Sequence, residues 1–518
     1  MSNYYFGVNR VTGLASGIDT MQMVEDLMRV ARRPLDKLLQ NKQLLEWKRT
    51  DYRTINLALQ NFRANYASSM RLEGTFSAKE ATSSDTTKVT ATAGGSAQTG
   101  TYSINVTQLA QVASDISSSA LSLNAGDKID PDETLESQKA KFATQWGATT
   151  TLQFSITTYD EDAIATTETF TVDTTTDSLN DVIADINAKS STLGVTAFYE
   201  SSTDKVVIST TKTGNYSTNE IEIADVADSF ALGTLHLSAT ANGQNAVIDI
   251  NGLTGIEKYE NTFTLNNVTF NLLNTTGGSP VTVQVTLDTD TVYNTIESFV
   301  EAFNNLIDTI NNELNETRYS DYPPLTDEQR EELTEYEIEQ WEEKARSGLL
   351  YNDSILRSVV YDLRRALTTP VDGLTTYDDI WDIGISTGYY YEGGKLKIDE
   401  AKLREAINTN PDAVMQLFTR YDASYTYEQK GLGRRLYDEI NDAIDRLTDW
   451  AGYPSTFSLY DDSYLGDSIR DLDERIADTE DRLAKLEERY WRQFTVMEQV
   501  IAQFNSQSMW LTQQTSGG

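Results

Sequence analysis

The spacing of apolar residues changes twice along the chain. From about residue 21 to 70 it has a helical period: Leu38, Leu45, Tyr52, Leu59 and Tyr66 recur at sevens, and Ile55 and Phe62 follow Tyr52 and Leu59 by three. A repeat of seven keeps one stripe turned toward a partner helix. Asn41 and Lys48 hold the matching earlier places, so polar groups interrupt this stripe. Pro34 has no amide hydrogen and crowds the preceding turn, so a helix is expected to start or kink there. The C-terminal stretch carries a cleaner seam. Ile469, Ile476, Leu483, Tyr490, Met497 and Phe504 fall at strict sevens, and Leu472, Thr479, Leu486, Gln493 and Val500 take the partner positions, with Asp471, Arg475, Asp478, Arg482 and Lys485 off the seam. Roughly 45 residues of helix, rising about 1.5 Å each, would run about 65–70 Å, and one helix cannot cover its own stripe. These residues are the candidate assembly seam.

Between about 75 and 290 the period falls to two. TYSINV, LQFSITTY, TFTVDT, KVVIST, AVIDI and VTVQVTL alternate, and Gly, Asn, Asp and Ser bound them, as in half-buried strands. SLNDVIADINAKS breaks the alternation with a helical face of Leu179, Val182, Ile183 and Ile186, while Gly94-Gly95, Gly214-Asn215 and Gly277-Gly278 mark turns. After 291 helices return: Ile296, Val300, Phe303, Ile307, Ile310 and Leu314 form one stripe, Leu356, Val360, Leu363 and Leu367 a second, and Leu436, Ile440, Ala443 and Leu447 a third. In the acidic stretch TDEQREELTEYEIEQWEEKA, Thr334 and Glu337 form a capping box with Leu333 and Ile338 as its staple, which reads as a solvated helix. YYYEGGKLKID predicts a hairpin on Gly393-Gly394, and Asn410-Pro411 a helix start capped by Asn.

The chemistry adds mostly exclusions. The 518 residues carry 42 Lys and Arg against 79 Asp and Glu, a formal charge of −37, which repels phosphate backbones and anionic lipid, so no nucleic-acid partner is expected. No cysteine is present, so disulfides, thiolate metal sites and cysteine nucleophiles are excluded. The single histidine, His236 in GTLHLSAT, lies where the alternation reads as strand and is expected to be structural. Phosphate loops, HExxH, GxSxG and EF-hand loops are absent, and Asp127, Asp130, Asp132 and Glu136 lack calcium-loop spacing. A carboxylate hydrolase therefore has no positive support; a soluble, non-catalytic protein without cofactor or metal is expected. The opening MSNYYFGVNRVTGLASGID lacks a basic start followed by an apolar run, and no stretch reaches the roughly 18–20 apolar residues of a membrane span, so neither a signal peptide nor membrane insertion is expected.

Several blocks in order resemble one family. GLASGIDTMQMVEDLMRVARRPLDKL, WKRTDYRTINLALQNFR, TYSINVTQLAQVAS, VIDINGL with NTFTLNNVTFNLL, TVYNTIESFVEAFNNLIDTINNELNE, DIGISTGYYYEGGKLKIDEAKLREAINTNPDAVMQLF and QFTVMEQVIAQFNSQSMWL look like the flagellar hook-associated protein 2 (FliD) family of filament caps. SLNDVIADINAKSSTLGVTAFYESSTDKVVIST resembles the IN motif of flagellins and hook-associated proteins, with Ile186-Asn187 as its namesake. The likeness is weakest at about 116–170.

The resemblance implies a structural cap at the distal filament tip that promotes flagellin folding and polymerisation and prevents loss of monomers, with an adhesive contribution from the outer strands as a further expectation. It implies secretion through the flagellar type III export apparatus with an export chaperone. The partners it implies are other copies in a ring-like homo-oligomer, most often a pentamer in this family, and flagellin at the tip. A hook–filament junction protein or a flagellin-like filament subunit is the alternative. The expected fold is multidomain α+β, with helical, coiled-coil domains built from both termini and β-rich domains inserted in the middle. Its expected parts are a terminal coiled-coil leg (1–44 with 466–518), a helical domain (45–72 with 291–465), a β-rich domain (73–115 with 236–290) and an outer β-rich domain with the IN motif (116–235).

Overall fold

The computed structural model describes residues 17–388, 393–454 and 461–515. The chain forms two compact units, one from the described residues up to Phe76 and from Asp290 onward, the other from Ser77–Thr289. The first begins with α1 (Thr20–Phe62), a single helix of 43 residues capped by Asp19, whose Oδ1 accepts the Gln22 amide at 3.0 Å. The helix runs through Pro34 rather than starting there. Pro34 is exposed, so the Val30 carbonyl that loses its helical donor lies near solvent, where the loss is least costly. A π-helical turn (Arg63–Ala67) and the short α2 (Ser68–Met70) and α3 (Glu73–Phe76) follow.

The second unit holds, in chain order, β1 (Lys79–Ser83), β2 (Val89–Ala93), β3 (Gly100–Gln108), β4 (Val112–Ile116), β5 (Thr151–Tyr159), β6 (Ala165–Asp173), α4 (Leu179–Ala188), α5 (Ser190–Leu193), β7 (Val195–Glu200), β8 (Lys205–Thr213), β9 (Ile221–Ala227), β10 (Thr240–Ala241), β11 (Ala246–Ile250), β12 (Leu253–Lys258), β13 (Thr262–Leu265), β14 (Val268–Leu272) and β15 (Val281–Leu287). A five-stranded sheet ordered β1-β15-β3-β11-β12 and a three-stranded sheet ordered β13-β14-β2 surround one core, with Ile104, Val106, Ile248, Phe270 and Val283 fully buried. The sheets β10-β9-β5-β6 and β4-β8-β7 pack with α4 around a second core that includes Phe142, Trp146, Phe154 and Phe230. The incoming β1 and outgoing β15 pair antiparallel from Lys79↔Leu287 to Ser83↔Val283, so the insert's two ends meet in one ladder.

α4 starts at a capping box between Ser178 and Asp181 and buries the predicted face of Leu179, Val182, Ile183 and Ile186. Next to Ile186, the Asn187 amide donates to the Ala197 carbonyl at 2.9 Å and accepts the Ala197 amide at 2.8 Å. The Ile-Asn pair therefore couples a core side chain to the β7 backbone. GTLHLSAT is not the strand its alternation predicts. It follows a π-helical turn (Phe230–Thr234), and His236 has φ 55°, a left-handed backbone incompatible with a ladder. The buried Nε2 of His236 has no hydrogen-bond partner among the described residues, and desolvation lowers its pKa.

The first unit resumes with α6 (Thr289–Asn315), α7 (Asp327–Glu332), α8 (Glu335–Arg346), α9 (Ser354–Thr368), the hairpin β16 (Ile385–Thr387) and β17 (Leu396–Ile398), then α10 (Glu400–Thr409), α11 (Pro411–Thr419), α12 (Leu432–Ala451) and α13 (Tyr464–Thr515). Part of YYYEGGKLKID lies outside the described residues. Thr334 and Glu337 form the predicted box, and Thr326 with Gln329 forms another at the start of α7. Asn410 precedes α11, but its side chain makes no capping bond. Its backbone serves both helices: its amide closes α10 on the Ala406 carbonyl at 3.0 Å, and its carbonyl accepts the Ala413 and Val414 amides of α11, each at 3.1 Å. No described helix is long and apolar enough to cross a membrane. The fold is multidomain α+β, helical from both terminal parts and β-rich in the middle.

Asp461, just before α13, accepts Arg53 Nη2 at 2.7 Å, Arg49 Nη1 at 3.3 Å and Ser463 Oγ at 2.6 Å. Burial opposes its charge, yet the Ser463 hydrogen bonds and the two guanidiniums outweigh it and hold the carboxyl below its usual range.

Three outcomes follow from this packing. Asn187→Ala strands both polar groups of Ala197 and should cost about 1–3 kcal/mol in urea unfolding of the full chain; an unchanged midpoint would show that the pair is dispensable. Asp461→Ala leaves two partly buried guanidiniums unpaired and should cost about 1–3 kcal/mol in thermal unfolding, against at most about 1 kcal/mol for breaking a half-exposed pair. For His236, the unfolded chain binds a proton near the ordinary value of 6.5 and the folded chain only at lower pH. Its contribution to stability is thus intact above that value and is lost as pH falls toward the folded value. His236→Asn, which tolerates a positive φ, should flatten this part of the pH–stability curve.

Candidate assembly interface

The two long helices of the first unit run antiparallel. Lys42 Nζ on α1 pairs with Asp473 Oδ1 on α13 at 2.6 Å, while Arg49 and Arg53, further along α1, reach back to Asp461 before α13 begins. The Asp473 hydrogen bond holds the Lys42 ammonium above its usual range. α12 forms the third member. Asn56 of α1, fully buried, donates to Thr448 Oγ1 at 2.9 Å, Arg63 donates to Asn441 at 2.7 Å, and Arg53 Nε closes the end of α12 on the Ala451 carbonyl at 2.8 Å. The Trp450 and Tyr464 rings stack with centroids 4.4 Å apart, joining the end of α12 to the start of α13.

The seam residues of α1 divide into two groups. Tyr52, Ile55, Leu59 and Phe62 are buried in the helical core. The Tyr52 hydroxyl donates to Asp353 Oδ2 at 2.6 Å, and burial together with that carboxylate raises its pKa. Asp353 also caps α9 through the amides of Ile355 and Leu356, and Phe62 lies 5.8 and 6.2 Å from the Phe299 and Phe303 rings. Leu38 and Leu45 are half-buried. Of the interrupting polar residues, Asn41 is exposed and Lys48 reaches Asp353 at 3.7 Å.

Along α13 the cover thins. Ile469, Leu472 and Ile476 are buried; Thr479, Leu483, Leu486, Tyr490 and Met497 are half-buried; Gln493, Val500 and Phe504 are exposed. Helix length accounts for the exposed far end. α13 has 52 residues, and the Lys42–Asp473 register carried to Thr20 reaches only about residue 495. Beyond that point Phe504, Met509 and Trp510 are 64%, 71% and 59% exposed. The acidic stretch and its two flanks are tied along α1 at three places on one face. Arg29 pairs with Glu328 at 2.9 Å, Gln40 donates to the Pro324 carbonyl at 2.7 Å, and Arg346 pairs with Asp51 at 3.1 Å. Neither this strapping nor the Asp461 clamp was read from the sequence, because both join segments far apart in the chain. The one local signal was the charge contrast between basic α1 and the acidic stretch.

A family model described as Flagellar hook-associated protein 2 C-terminus matches residues 243–506, and one described as Flagellar hook-associated protein 2 N-terminus matches residues 16–113. Flagellar hook-associated protein 2 of Halalkalibacterium halodurans is 35% identical, over 96% of this chain and 98% of its own length. The Escherichia coli K12 protein of the same name is 27% identical over 97% of both chains. The crystal structure of the flagellar cap protein FliD D1-D2-D3 domains from Escherichia coli has a TM-score of 0.54 at 22% identity, covering 82% of this chain and 99% of that one, which shows a shared fold. Matched at both ends by the family models and over nearly its whole length by a relative, the chain belongs to the flagellar hook-associated protein 2 family, the flagellar cap proteins.

Proposed function

We propose that this protein caps the distal end of the bacterial flagellar filament, promotes folding and polymerisation of flagellin there and keeps monomers from escaping. The observation that carries this reading is the end of α13, which no described residue of α1 reaches. Val500, Phe504 and Trp510 stand on a helix that has outrun its antiparallel partner, a surface suited to packing among other helices. In this reading the candidate seam from Leu38 to Phe62 and from Ile469 to Phe504 divides: Tyr52 to Phe62 and Ile469 to Ile476 hold the helical core together within the chain, and the exposed end with Val500 and Phe504 serves as the assembly surface. The partly polar places at Asn41, Thr479 and Gln493 keep its grip weak enough to release and rebind as the filament grows. The protein works as a ring-like homo-oligomer, a pentamer by family likeness, delivered by the flagellar type III export apparatus with an export chaperone. The functional division runs in four parts: the leg 1–44 with 466–518, the helical domain 45–72 with 291–465, the β-rich domain 73–115 with 236–290 and the outer domain 116–235. Any adhesive contribution falls to that outer domain.

Deleting the gene should abolish cell-attached filaments while unpolymerised flagellin accumulates in the culture supernatant. Complementation with Phe504→Asp should leave the cap protein exported but filaments short or absent, since a charge on the bare stripe opposes its burial. Filaments of normal length and number after the deletion would overturn the capping role.

A further inference from the structure

The N-terminal half of α1 carries two faces. One, with Val24 and Met28, is buried. The other runs through Met23, Leu27, Val30, Arg33 and Lys37 at spacings of three and four, so these side chains stand in one row. Met23, Leu27 and Val30 are 42%, 41% and 59% exposed, and Arg33 and Lys37 are exposed and form no ion pair with any described residue. An uncovered basic and apolar row is unusual on a chain of net charge −37. The complementary row lies on α8. Glu335, Glu339 and Glu343 recur at fours, all exposed and outside any ion pair among the described residues, and Tyr336 beside them is 71% exposed.

We infer that the Arg33–Lys37 row of α1 docks on the Glu339–Glu343 row of α8 in a second copy of this chain. Both pairs have the same i,i+4 pitch of about 6 Å along their helices, so two charge pairs can form together while Tyr336 covers Val30 and Leu27. One bond of this kind already exists within the chain, where Arg29 of α1 holds Glu328 of α7 at 2.9 Å. Two copies otherwise repel through their net negative charge, and this row supplies a local attraction that sets orientation. When each copy gives its α1 row to one neighbour and its α8 row to another, the contact is head-to-tail, the kind that closes into a ring when its rotation permits. The inference rests on the ring-forming reading above and assigns it a contact.

The test is light scattering on the full chain at low and high salt. The wild-type chain should assemble at low salt and dissociate as salt screens the row. Arg33→Glu with Lys37→Glu should raise the concentration for half-assembly about tenfold or more, as should Glu339→Lys with Glu343→Lys, with helix content unchanged by circular dichroism. The fourfold variant carrying both swaps should recover assembly. Wild-type-like assembly in either double variant, no recovery in the fourfold variant, or a wild-type chain monomeric at low salt would overturn the contact. Flagellin release in the deletion strain judges the capping proposal separately, so one can fail while the other stands.

Discussion

A helix as long as α13 cannot hide a continuous apolar stripe against short elements, and this constraint organises the helical unit. Cover has to come from another long helix, and the chain supplies it from its opposite end in α1. The pairing is set by charge and hydrogen bonds as well as by apolar contact. Asp461 receives two arginines from α1 where α13 begins, and Asn56 locks α1 to α12 inside the core. Such buried polar contacts add little net stability once desolvation is counted, but a register slip would leave each of them unpaired. Their main effect is to fix one alignment of a seam that apolar residues at sevens would tolerate in several.

The same constraint accounts for the insert. If the two ends of the chain must pair, everything between them has to leave and return close by. β1 and β15 meet this requirement by lying side by side in one ladder. Within the second unit two cores form around separate sets of sheets, and the Asn187 amide ties α4 to β7 in one of them.

Much of the architecture was legible in the order of residues because period two and period seven are local properties. The strands at TYSINV, LQFSITTY and VTVQVTL, the α4 face and the Thr334–Glu337 box needed only neighbouring residues. One reading failed where a local pattern had a second explanation: His236 sits in an alternating run but takes a left-handed backbone. Two held in part, since α11 does start at Pro411 although the Asn410 side chain makes no capping bond, and α1 runs through Pro34 instead of starting there. In the candidate site the two long helices that carry the proposed seam were legible. What each seam residue faces was not, because Tyr52 and Phe62 turn to α9 and α6 while Val500 and Phe504 turn to solvent. The Asp461 clamp joins residues 412 and 408 apart in sequence and leaves no periodic trace.

The placement of α1 and α13 at opposite ends of the chain also governs time. Their contacts have among the largest sequence separations the chain allows, so they close the longest loop and form late. In vectorial folding, whichever end emerges first must hold its apolar face open until the other arrives. The inserted strands carry their own cores and close shorter loops, the longest being the β1–β15 ladder from Lys79 to Leu287. The helical unit is therefore the last part able to mature, and until it does, each long helix remains available to another chain.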